Sequence, residues 1–153
     1  MEKMQFKTVI SAPVAEVYSK MIGKETFKQW TAVFNPTSDF EGGGVEGNWE
    51  KGSKILFVGT NAEGKREGMV GYIRENTPNR YVSIEYAGIL DDDEEVTEGP
   101  IAEAWQGFEN YTFEYQDGST IVTVDIDVND EMVDYFRKTY PKALDKLKEI
   151  CEA

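Results

Sequence analysis

The final stretch of the chain, NDEMVDYFRKTYPKALDKLKEICEA from Asn129 to Ala153, reads as one long amphipathic helix, and it restricts every fold open to the residues before it. Val133, Phe136, Tyr140, Leu144, Leu147 and Cys151 recur every three or four residues, so they share one face. Glu131, Asp134, Arg137, Lys138, Asp145, Lys146 and Glu149 take the other. A helix with such a stripe must lie against an apolar surface, and upstream the chain offers about seven candidate strands. The expected architecture is therefore α+β: a curved antiparallel sheet wrapped around the C-terminal helix. The expected order is strand, helix, helix, about six strands, helix, with room for a cavity between sheet and helix. Pro141 removes one backbone hydrogen bond inside the last helix and predicts a kink near Arg137 to Tyr140, which either shapes the helix to follow a curved sheet or leaves a weak point that lets it shift when a ligand enters.

The elements follow from local signals. Met4 to Ile10 alternates as a first strand. Ser11-Ala12-Pro13 starts a helix, with Ser11 as the expected cap and Pro13 in the first turn. Val14, Val17, Tyr18 and Met21 form its buried stripe, and Gly23 breaks it. A second short helix runs from Lys24 to about Val33, with Phe27, Trp30 and Phe34 on one face. Two short helices joined by a glycine make a V that plugs the open end of a curved sheet. Asn35 to Gly47 is a loop whose glycine run leads into a strand, which argues against a phosphate cradle. Strands are then expected at Val45 to Glu50, Ser53 to Gly59, Arg66 to Arg74, Arg80 to Gly88, Ala102 to Tyr115 and Ser119 to Val128. Turns separate them at Lys51-Gly52, Asn61 to Gly64, Asn76 to Asn79 and Asp117-Gly118, with an acidic loop before Ala102. This is an antiparallel meander in one domain, residues 1–153.

Strand parity assigns faces. Val122, Val124, Ile126 and Val128 point inward, as do Val82, Ile84 and Tyr86, and Tyr111, Phe113 and Tyr115. Extending the last set backwards adds Glu109, Gly107 and Trp105; around Met69 both phases are partly apolar. Trp30, Phe34, Tyr86, Trp105, Tyr111, Phe113, Phe136 and Tyr140 can therefore converge between sheet and helices. They either fill the core or line a cavity for an amphipathic or aromatic ligand, with tyrosine hydroxyls as polar handles. Glu109 is the informative member of this candidate ligand-binding set. An inward carboxylate among aromatics is costly unless paired, whereas a β-bulge at Gly107 would turn it to solvent.

The chain carries 29 acidic against 16 basic residues, a net charge of −13. That argues against nucleic acid or anionic membranes as partners, and favours solubility and a cationic partner. With no histidine, the commonest general base and the usual nucleophile pairs are missing, and no catalytic or metal-binding set is recognisable. The acidic run from Asp91 to Glu95 lacks the spacing of a calcium loop and reads as solvated charge. The lone cysteine, Cys151, continues the helix stripe as core filler and suits a reducing compartment. No signal-peptide or membrane-spanning run stands out, so a cytoplasmic location is expected. No cofactor is implied.

The succession of elements resembles the helix-grip fold of the START and birch-pollen-allergen superfamily, SRPBCC. Within it the chain resembles single-domain homologues of the C-terminal domain of the heat-shock-protein-ninety ATPase activator. Ala12-Pro13 followed by Val17-Tyr18 and Gln29-Trp30 is similar to that family's opening helix pair. Gly71-Tyr72-Ile73-Arg74-Glu75, Pro78 and Tyr81-Val82-Ser83-Ile84 resemble its central hairpin. Glu109-Asn110-Tyr111-Thr112-Phe113 leading to Asp117-Gly118 resembles its long strand and turn, and Ala143-Leu144-Asp145-Lys146-Leu147 its closing helix. The resemblance implies a fold with a cavity, whose relatives bind lipids, hormones, polyketides or other hydrophobic ligands. The first expectation is thus a module that binds a small hydrophobic or amphipathic molecule. A second is an interaction module with a protein partner of chaperone type. A third is a cyclase- or hydrolase-like enzyme with Glu109 as base and tyrosines as polarising donors.

Overall fold

Alternation governs the chain from its start: Glu2–Ile10 is strand β1, and Val14–Ile22 and Lys24–Thr31 are helices α1 and α2. The structure, a computed structural model, describes residues 1–34, 44–61 and 63–153. Most of the expected loop before the second strand, residues 35–43, and one residue of the expected turn at 61–64, residue 62, lie outside these. Helix α2 ends in a 3-10 turn, Ala32–Phe34. Strands β2 (Gly44–Gly47), β3 (Lys54–Thr60), β4 (Arg66–Thr77), β5 (Tyr81–Asp91) and β6 (Glu94–Val96) follow. A short helix α3 (Pro100–Glu103) precedes β7 (Gly107–Gln116) and β8 (Ser119–Val128). A 3-10 turn, Asp130–Met132, opens the last helix, α4 (Val133–Glu152).

The strands form one antiparallel sheet in the order β1-β8-β7-β5-β4-β3-β2, with β6 on β5. It is the α+β helix-grip architecture expected from the sequence, with eight strands among the described residues where about seven were expected. The extra strand comes from the acidic run. Asp92 and Asp93 take positive φ, +51° and +68°, and make a two-residue hairpin turn that pairs Asp91 with Glu94. Aspartate tolerates this backbone, so the run is not a loop. Arg66 is ion-paired to Asp93 and to Glu46 there.

Two further expectations are corrected. Ala102 to Gln106 is not strand. Gly99 at φ +91° followed by Pro100 starts helix α3, a use of proline in the first turn that extrapolated strand parity overlooked. Ser11 does not cap α1. The cap position is Pro13, in extended conformation, and no side chain bonds there. The Ser11 amide instead donates to Glu152 Oε2 at 2.8 Å, and Lys148 Nζ donates to the Val9 carbonyl at 2.6 Å. The far end of α4 is thereby tied to the corner between β1 and α1.

Register builds the core. Met4, Ile126, Glu109, Ile84 and Ile73 are successive cross-strand partners, so one carboxylate stands in an otherwise apolar row. Beside it runs the row Phe6, Val124, Tyr111 and Val82. Register shifts fall at Val70/Gly71 and Ile73/Glu75; Val70 and Ile73, three residues apart, are both buried, and of the two Ile73 belongs to the core beneath α4. Against this face α4 buries Tyr140, Leu144, Leu147 and Cys151, with Thr139 and Ala143 between them. Its predicted outer residues are exposed. Pro141 lies on the exposed side of an uninterrupted helix, where the Arg137 carbonyl it leaves unbonded is on the solvent face.

Leu147, fully buried, tests the grip. Leu147→Ala should cost about 2–5 kcal/mol in urea unfolding, whereas Lys146→Ala on the outer face should stay within about 0.5 kcal/mol. Burial pushes the Cys151 thiol up to about 11. Alkylation near pH 8 should therefore be slow in the folded protein and fast once it is unfolded in urea, because only the thiolate reacts.

Candidate functional site

Between the sheet and the first half of α4 lies a cavity of about 500 Å³. Eight of the nine residues expected to bind ligand converge on it: Trp30, Phe34, Tyr86, Trp105, Glu109, Tyr111, Phe136 and Tyr140 all line it, and Phe113 does not. Phe113 is buried on the far side of Tyr111, with its ring edge-on to Tyr18 at 5.6 Å. Trp105 reaches the cavity from the turn after α3 and not from strand parity. Tyr115, counted among the inward residues of its strand, is 56% exposed at the hairpin end.

Each polar group has a structural cause. Glu109 is only 7% exposed because its position in β7 faces inward between Ile126 and Ile84. Its phase is the inward one, and no bulge at Gly107 turns it out. Tyr86, on the neighbouring strand β5, donates to Glu109 Oε1 at 2.5 Å. Tyr140, on the buried face of α4, donates to Glu109 Oε2. One carboxylate thus bridges sheet and helix through two phenols. Burial pushes the Glu109 carboxyl up, while the hydrogen bonds from Tyr140 and Tyr86 pull the other way. Burial, then the neighbouring Glu109 charge, holds the hydroxyls of Tyr86, Tyr111 and Tyr140 well above the ordinary phenol range, so they remain protonated donors.

Rings surround this polar cluster. Phe6 stacks on Tyr140 at 4.8 Å, and Phe34 meets Tyr140 edge-on at 5.0 Å. Phe57 meets Tyr86 edge-on at 5.8 Å, and Trp30 meets Tyr111 at 6.2 Å. The indole N–H of Trp30 donates to the Met21 carbonyl at 2.9 Å, which locks that ring to α1. Sequence reasoning missed Phe57, Met69, Met132 and Tyr135 as lining residues. Phe57 sits in the run ILFV, apolar in both phases, which hides its face. Tyr135 stands off the helix stripe, and its hydroxyl donates to the Phe34 carbonyl at 2.6 Å, tying α4 to the end of the α2 segment. A carboxylate has about four lone-pair positions, so Glu109 can accept more than its two phenols. The arrangement can hold a donor group at one end and an apolar body along the rings.

No curated protein matches the chain in sequence. Solved structures resemble its fold. A protein from Arthrobacter aurescens superposes with a TM-score of 0.75 at 13% identity, covering 97% of this chain and 85% of that one. Protein Ms6760 from Mycobacterium smegmatis gives 0.71 at 16% identity, covering 99% and 91%. The Aha1 dimer from Colwellia psychrerythraea gives 0.67 at 20% identity, covering 99% and 97%. Among the described residues no helix is long and apolar enough to cross a membrane. The model of one family spans residues 11–152, from the start of the helix pair to the last turn of α4, and this chain belongs to that family, Activator of Hsp90 ATPase homolog 1-like protein.

Proposed function

We propose that the chain binds a small hydrophobic or amphipathic molecule in the cavity between the sheet and α4, with residues 1–153 acting as one domain. The observation that carries this reading is the placement of Glu109. A buried carboxylate in an apolar row is costly to keep, yet here it is held by two phenols at the wall of a cavity of about 500 Å³. Ligand pockets typically have about 300–1,000 Å³ and a few convergent polar groups in an apolar lining. Trp30, Phe34, Tyr86, Trp105, Glu109, Tyr111, Phe136 and Tyr140 are the residues proposed to touch the ligand. A cytoplasmic setting fits a chain whose single thiol is buried and unpaired.

The family's description and the Aha1 likeness favour a second reading, a protein-interaction module of co-chaperone type. That role would use the outer surface. Its exposed large apolar residues, Val9, Ile101, Phe108 and Tyr115, stand on β1, α3 and the two ends of β7.

Native mass spectrometry of protein purified from its own host distinguishes the two. A defined small-molecule adduct, released on denaturation, is the expected result. An empty protein that instead retains a stoichiometric protein partner would support the second reading. The electrostatic reading of Glu109 has its own check. Its carboxyl titrates higher in the folded than in the unfolded chain, so ionisation between those two values costs stability as pH rises. Glu109→Gln should therefore match the parent at acid pH, where the carboxyl is protonated in both states, and exceed it near pH 7 in urea melts of ligand-free protein. A less stable variant at neutral pH would mean that the phenol hydrogen bonds outweigh the cost of burial.

A further inference from the structure

We infer that the cavity takes an amphipathic organic cation, its ammonium seated against the Glu109 carboxylate and its apolar body against the surrounding rings. This deepens the binding reading above and rests on it.

Charge around Glu109 is unbalanced. Glu109 is buried, its two bonded partners are neutral phenols, and its strand neighbours Ile126 and Ile84 are aliphatic. Among the described residues, the ion pairs involving Lys and Arg all go to other carboxylates. Lys28 also lines the cavity, and its ammonium lies 3.8 Å from Glu25. A buried carboxylate lacking a counter-charge is the arrangement that a cationic ligand would relieve.

The rings favour the same head group. Trp30, Phe34, Phe57, Tyr86, Trp105 and Tyr140 face the same space. Aromatic faces attract an ammonium or its polarised methyl and methylene groups when these come within about 6 Å of a centroid, and more strongly where water is excluded. The same rings accept an apolar body equally well, so ring contacts and carboxylate together select an amphiphile with a positive head. The carboxylate has lone pairs left for it, since each oxygen accepts one phenol.

The field of the whole chain acts in the same direction. A net charge of −13 raises the local concentration of cations and lowers that of anions. An anionic amphiphile would need to place its head near Lys28 and remain inside a pocket that already holds the Glu109 charge.

Three probes of one shape separate these possibilities: tryptamine, tryptophol and indoleacetate, titrated calorimetrically into the full chain, with amide NMR shifts locating the site. Tryptamine should bind at least about tenfold tighter than tryptophol, with indoleacetate weakest and the shifts centred on Tyr86, Glu109 and Tyr140. Glu109→Gln should bring tryptamine down to about the affinity of tryptophol for the same variant, a loss larger for tryptamine than for tryptophol. Tryptophol or indoleacetate binding as tightly as tryptamine in the same cavity would overturn the cation inference and leave the binding reading standing. A tryptamine preference that survives Glu109→Gln would also overturn it, because the general negative field or the Glu67 and Asp127 carboxylates, which also line the cavity, would then be the cause. If none of the three moves a cavity resonance, the inference and the binding reading fall together.

Discussion

The apolar face of α4 has nowhere to go except against the sheet, and the rest of the structure accommodates that demand. The sheet curves so that β1 meets the helix, and Ile73 on β4 and Ile84 on β5 join the same core. Helices α1 and α2 occupy the region the curvature leaves open, anchored by the Trp30 indole on the Met21 carbonyl. The helix is gripped unevenly. Leu144, Leu147 and Cys151 are buried against packed side chains, whereas Val133 and Phe136 are only half-buried beside the cavity. The cavity therefore sits where the stripe of α4 is least covered, and where its early turns meet Phe34 rather than a strand.

The trio of Glu109, Tyr86 and Tyr140 shows how one interaction can serve two purposes. It connects sheet to helix through a single side chain, so it helps set the position of α4. It also retains a charge where an apolar residue would pack with less desolvation cost. Residues that cost stability without an evident structural return concentrate at functional sites. A leucine at this position would complete the row from Met4 to Ile73, and its absence is the strongest local departure from core logic in the sheet.

Much of this was legible in the sequence because two periodicities were clean. The helix stripe from Val133 to Cys151 and the alternation from Val122 to Val128 each point to a single face, and both faces are the ones adopted. The site was partly legible for the same reason, since parity in β7 carries Glu109 and Tyr111 inward together. The losses come from places where a local backbone signal competes with periodicity. Gly99-Pro100 starts a helix inside what parity extends as strand, and Asp92-Asp93 makes a turn that reads as solvated charge. Phe57 escaped because an all-apolar run carries no phase, and Phe113 was misassigned because facing inward does not say which part of the interior a side chain reaches. That last distinction depends on where α1 lies across the sheet, which is a tertiary fact.

The pairing of β1 with β8 along their whole lengths, from Glu2 opposite Val128 to Ile10 opposite Thr120, has a kinetic side. The strand made first acquires its sheet partner only after nearly all the others exist, and the last helix is tied back to the same corner through Ser11 and Val9. The meander from β2 to β6 can form by successive hairpins, each closing a short loop; β7 reaches β5 across β6 and α3, and the contacts of β1 close the longest loops. During synthesis β1 must wait with an unpaired edge while the hairpins assemble. The fold thus becomes cooperative only at the end, when β8 and α4 join the two extremities of the sequence into one surface.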